Sequence, residues 1–84
     1  MLYVTIDIDM HSSRENYNIR VVTQGGTEYP FILDGEGKLL ERIKSNGPGI
    51  YIYGGERIRE EDTCETLKMK RGRVYYVDVI RSNM

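Results

Sequence analysis

The stretch from Val74 to Ile80 limits the fold more than any other part of the chain. It reads Val-Tyr-Tyr-Val-Asp-Val-Ile, β-branched and aromatic with a single charge, which gives it strand character. A run this apolar is expected at the centre of a sheet, buried on both faces. Such a strand needs a neighbour on either side and a covering layer, and the rest of the chain must supply them.

Upstream, Tyr17, Ile19 and Val21 alternate with Asn18, Arg20 and Val22, the period-two pattern of a strand. Gln24-Gly25-Gly26-Thr27 predicts a tight hairpin, because paired glycines enter positive φ without steric cost. Glu28 to Leu33 is then the returning strand. Pro30 within it cannot donate a ladder hydrogen bond, so this strand belongs at a sheet edge. Leu2, Val4, Ile6 and Ile8 alternate with Tyr3, Thr5, Asp7 and Asp9 and predict a further strand at the start, followed by a polar loop from His11 to Asn16.

Asp34-Gly35-Glu36-Gly37 resembles a helix entry with Asp34 as the cap. Leu39, Leu40 and Ile43 form the apolar stripe of a short helix, and Asn46-Gly47-Pro48-Gly49 stops it. Ile50 to Tyr53 is a short strand turning at Gly54-Gly55, Arg57-Ile58 begins another, and Thr63 to Leu67 suits a single helical turn. One helix across one face of a mixed sheet is an α+β arrangement.

Eighty-four residues make one domain, near the lower limit for folding without disulfides or metal. The 12 Lys and Arg nearly balance 13 Asp and Glu, so no overall field favours nucleic acid or a membrane surface. The one cysteine cannot form an internal bridge, so a reducing setting, nucleus or cytoplasm, is expected. No apolar run approaches the roughly 20 residues of a membrane helix, and there is no signal-peptide pattern.

Tyr51-Ile52-Tyr53-Gly54-Gly55-Glu56-Arg57-Ile58, followed after four residues by Thr63-Cys64-Glu65-Thr66-Leu67-Lys68-Met69, resembles the C-terminal half of the small ubiquitin-related modifier (SUMO) family. The family pattern is roughly F-x-F-x-G-x-R-I, then T-P-x-x-L-x-M, and the spacing is kept. The resemblance runs from about Tyr17 to Ile80 and implies the β-grasp of ubiquitin: a mixed sheet with one short helix packed across it. Residues 17–84 would be the SUMO-like domain and residues 1–16 an extra N-terminal strand and loop. Between Phe31 and Tyr51 the chain is shorter than the family by roughly two helical turns, so a trimmed helix is expected.

Three departures bear on function. The family modifier ends in two glycines, where this sequence has Asn83-Met84, so the expectation is a SUMO-like domain that is not conjugated; the alternative is a SUMO modifier whose Gly-Gly is missing from this chain. SUMO binds short apolar strands by β-augmentation, aided by lysines that align with Ile32 and Asp34 here. The resemblance therefore makes Phe31, Ile32, Leu33 and Arg42 the candidate groove. The family's acidic loop before the last strand becomes Lys70-Arg71-Gly72-Arg73, and reversed charge costs affinity at a shared interface.

Lys70, Arg71 and Arg73, with Arg57 and Arg59, form a second candidate surface for acidic protein segments; the competing reading is a solvated turn balanced by Glu60, Glu61, Asp62 and Glu65. Val4, Ile6 and Ile8 are candidates for an edge strand or a strand-exchanged dimer. His11 and Cys64 alone fall short of a zinc ligand set, so no metal, cofactor or catalytic site is expected. Partners are expected to be proteins, SUMO-pathway enzymes or SUMO-interacting motifs among them, with no nucleic acid and no membrane.

Overall fold

The computed structural model describes residues 14–44 and 47–81. The expected N-terminal strand with Val4, Ile6 and Ile8, together with His11, Asn46 and Asn83-Met84, lies outside them. The described elements are β1 (Tyr17–Val22), β2 (Glu28–Leu33), helix α1 (Leu39–Ile43), β3 (Ile50–Tyr53), β4 (Glu56–Arg57) and β5 (Val74–Ile80). They form a five-stranded sheet in the order β2-β1-β5-β3-β4.

β1 and β2 pair antiparallel from Tyr17 opposite Leu33 to Val22 opposite Glu28. At the turn, Thr23 donates to the Thr27 carbonyl and Gly26 to the Thr23 carbonyl, each at 2.9 Å. Alternation of bonded and unbonded pairs from Thr23–Thr27 onward makes Arg20–Pro30 an unbonded pair. The missing Pro30 donor therefore faces away from β1. That is why a proline is tolerated here, and why β2 is the outer strand among the described residues.

β5 runs parallel to β1, Asn18 opposite Val74 through Val22 opposite Asp78, and antiparallel to β3. Its central position is as expected, but burial on both faces is not. Val77 and Val79 are sealed in the core, whereas Val74, Tyr76 and Ile80 are exposed on the other side. A central strand needs partners along both edges, and these do not cover its faces. Among the described residues a single short helix packs on the sheet, and it covers only one face.

α1 has five residues, and Leu39, Leu40 and Ile43 are all buried as their spacing predicts. Asp34 does not cap it. Its Oδ1 accepts the Glu36 N–H at 2.9 Å, and the cap position falls to Lys38, whose side chain makes no capping bond. Gly35 and Gly37, at φ of +90° and +77°, take the chain through the left-handed region and delay the helix past Asp34. The first helical N–H, at Leu39, donates instead to the Asp62 carbonyl at 2.9 Å, tying the helix start to the loop after β4.

That loop explains the Thr63 to Met69 pattern physically. Thr63 and Thr66 exchange backbone-to-hydroxyl hydrogen bonds at 2.8 and 3.0 Å, opening a single turn. The turn closes with Lys68 donating to Glu65 at 2.9 Å and Met69 to Cys64 at 3.0 Å, the two bonds of a Schellman motif. Lys68 occupies its left-handed position, at φ of +61°. Cys64 and Met69 are thereby sunk into the core beside Ile58, Tyr51 and the helix stripe.

Candidate functional site

The period-two alternation that buries Ile19, Val21, Tyr51, Val77 and Val79 against α1 turns their neighbours to the opposite face of the sheet. Ile32 on β2, Val22 on β1, Val74, Tyr76 and Ile80 on β5, and Ile50 and Ile52 on β3 all share that face by register. Tyr76 is 55% exposed and Ile32 44%, high values for large apolar side chains in a sheet. A depression of about 270 Å³ opens there between Val22, Ile52, Asp78 and Ile80. The same face carries Asp78 and the Arg20–Glu28 ion pair, with Arg20 opposite Tyr76 in the register. Exposed aliphatics and a tyrosine interleaved with charges have the composition of a contact surface.

The residues of the expected groove do not share this face. Leu33 is a core residue and Phe31 packs against the core, while Ile32 points to the open face. Arg42 lies on α1, where it donates to the Glu36 carbonyl at 3.2 Å and pairs with Asp34 at 3.6 Å. The loop before the helix thus occupies Arg42. The outward edge of β2 is interrupted by Pro30, so a strand added there would find one donor absent from the middle of the ladder.

The second candidate surface divides in two. Arg71 sits over the Tyr17 ring, 4.7 Å from its centroid, and donates to the Glu15 carbonyl at 3.0 Å. Next to it, the Lys70 N–H donates to the Tyr75 hydroxyl at 2.7 Å, and the Arg73 carbonyl accepts from buried Asn18 at 3.2 Å. This turn is latched to the start of β1 through ring and backbone acceptors. Among the described residues the ion pairs are Arg20–Glu28 and Arg42–Asp34, so the nearby carboxylates do not balance it by direct pairing. Arg57 and Arg59 instead line a cavity of about 350 Å³ with Leu40, Lys44, Tyr51 and Ile58. Sequence adjacency could not reveal that division, which depends on where β4 leaves the sheet.

Cys64 is 3% exposed. Burial pushes its thiol above the ordinary range, with Arg71 and Arg42 pulling weakly the other way. That is the reverse of an activated thiolate. The Tyr51 hydroxyl, also raised by burial, donates to the Gly47 carbonyl. No group of His, Cys, Asp and Glu suited to a metal ion occurs among the described residues, and no helix there is long and apolar enough to cross a membrane.

A mixed sheet whose first and last described strands pair in parallel, with one helix across it, is the ubiquitin-like β-grasp. Among solved structures the chain is similar to Caldiarchaeum subterraneum ubiquitin, with a TM-score of 0.59 over 82% of this chain and 99% of that one, at 14% identity. No protein-family model matches the chain, and no curated protein does.

Proposed function

We propose that this ubiquitin-like domain is a non-catalytic protein-binding module of the SUMO-like kind, working through the open face of its sheet. The observation that carries the reading is the exposure of Ile32, Val74, Tyr76 and Ile80 on that one face, with Tyr76, at 55%, the most exposed of these large apolar residues. The matched frame from Tyr51 to Met69 supports the SUMO-like affiliation, and buried Cys64 supports the non-catalytic part.

An NMR titration of the labelled domain with a SUMO-conjugating enzyme, and separately with a SUMO-interacting peptide, tests both halves. Binding through the open face shifts Val22, Ile52, Tyr76 and Ile80, and Tyr76→Glu abolishes the shifts. Peptide pairing on β2 shifts the Glu28 and Ile32 amides. Silence toward both ligands removes the SUMO affiliation. Shifts that survive Tyr76→Glu remove the open face as the site.

A further inference from the structure

The cavity beside the end of α1 is a separate feature. The helix stops at Ile43, too short to roof the β3–β4 end of the sheet. The space it leaves, about 350 Å³, falls near the lower end of the roughly 300–1,000 Å³ typical of ligand pockets. Ile50, 40% exposed, and the nearly buried Leu40, Tyr51 and Ile58 contribute its apolar lining. Gly49 forms part of the wall, because a Cβ there would meet the Ile80 carbonyl oxygen at 2.8 Å. β3 can therefore lie tight against β5 only with glycine at this position.

Lys44, Arg57 and Arg59 stand around this apolar lining with one carboxylate, Glu60, among them. Glu41 and Lys38 border the adjoining dip. The ion pairs among the described residues lie elsewhere, at Arg20–Glu28 and Arg42–Asp34, so these three cations have no carboxylate partner there. The whole chain carries a formal charge of −1, so local positive charge around this hollow does not follow from composition. Like charges held together at a concave surface repel one another and favour an anionic ligand.

We infer that this pocket takes an acidic peptide segment of a partner protein, with an aliphatic side chain against Ile50 and the edge of Leu40 and flanking carboxylates against Lys44, Arg57 and Arg59. Exposed Ile50 among the cations gives an aliphatic side chain a contact that inorganic phosphate cannot use, which favours a peptide. Single-stranded nucleic acid needs an exposed ring for stacking, whereas the Tyr51 ring is buried and its hydroxyl is tied to Gly47. The inference rests on the protein-binding reading but uses a second surface, which meets the open face at Ile50.

The test is a fluorescence-anisotropy titration of the whole chain with a labelled peptide of leucines flanked by glutamates, followed by an NMR map of the shifts. Binding should shift Lys44, Tyr51, Ile58 and Arg59 and weaken steeply with added salt. Arg57→Glu with Arg59→Glu should weaken it at least tenfold without moving the thermal midpoint, since both side chains are exposed. Tyr76→Glu should leave it unchanged. The glutamine version of the peptide should fail to bind. Equal affinity for the charge-reversed chain, equal binding of the glutamine peptide, competition by oligouridine, or shifts confined to Val22, Tyr76 and Ile80 would each overturn the assignment. No binding of this peptide, with the open face still responding to the enzyme, would overturn this inference alone; silence in both assays removes the protein-binding reading too.

Discussion

Gly35→Ala isolates the cost of the loop that carries β2 into the helix. Gly35 has φ of +90°, and a Cβ there would stand 2.6 Å from Cε2 of the Tyr17 ring. The left-handed backbone alone costs an L-residue about 1–2 kcal/mol, offset by about 0.4–1 kcal/mol from stiffening the unfolded chain. Relieving the contact means moving a ring that Arg71 covers at 4.7 Å, which forfeits about 0.5–1 kcal/mol of cation–π attraction together with packing. The expected total is about 2 kcal/mol, a large share of the few kcal/mol that hold a domain of this size. Urea denaturation followed by circular dichroism measures it, and the same substitution in a Tyr17→Ala background separates the two contributions. With the ring gone, the cost should fall to about 1 kcal/mol, the backbone part alone. A loss equal in both backgrounds, or no loss in the native one, would refute the argument that Tyr17 and Gly35 are packed as one unit.

Lys68→Gly should be neutral or stabilising by up to about 1 kcal/mol, because glycine relieves the left-handed residue of the Schellman motif while adding chain entropy; a clear loss in the urea midpoint contradicts the strain. Tyr75→Phe removes the acceptor of the Lys70 N–H and should cost about 1 kcal/mol, with faster amide exchange at Lys70 as the specific sign. Stability should hold through neutral pH and fall above about 9, since burial raises the Cys64 thiol and, at higher pH, the Tyr51 and Tyr53 hydroxyls. Groups raised in the folded state give stability that is complete below their unfolded values and lost as pH rises through the folded ones. A urea midpoint flat from pH 8 to pH 11 would be inconsistent with those buried groups.

Much of the fold was legible because its signals are local. The alternation of β1, the glycine pair at its hairpin, Pro30 on the outer strand and the Leu39-Leu40-Ile43 stripe each encode a period or a dihedral angle. The frame from Tyr51 to Met69 was legible as a pattern, and its reason is the reciprocal threonine bonds and the Schellman closure that sink Cys64 and Met69. Two local readings misled. Asp34 has the chemistry of a helix cap, but the glycines after it turn its carboxylate to Glu36 instead. Val74 to Ile80 has the apolarity of a strand covered on both faces, yet hydropathy cannot register that, among the described residues, a five-residue helix covers one face while Val74, Tyr76 and Ile80 stay exposed on the other. The candidate surfaces were less legible still. Arg42, Arg57 and Arg71 are indistinguishable in sequence, and only the tertiary path separates an arginine bound to a loop carbonyl, one at a cavity and one stacked on a ring.

The parallel pairing of β1 with β5 also governs how the domain comes into being. Asn18 bonds to the Arg73 carbonyl across 55 residues of chain, a closure that costs roughly 3.5 kcal/mol in loop entropy before any contact repays it. β5 is the middle strand of the described sheet, so a nascent chain that has produced β1 through β4 still has a gap through its centre. Until β5 is synthesised, β1 has β2 on one side and no described strand on the other, and β3 has, among the described strands, the two residues of β4. Folding should therefore be cooperative and limited by this late insertion, and nascent chains halted before Val74 are the species for which edge-to-edge aggregation is the hazard.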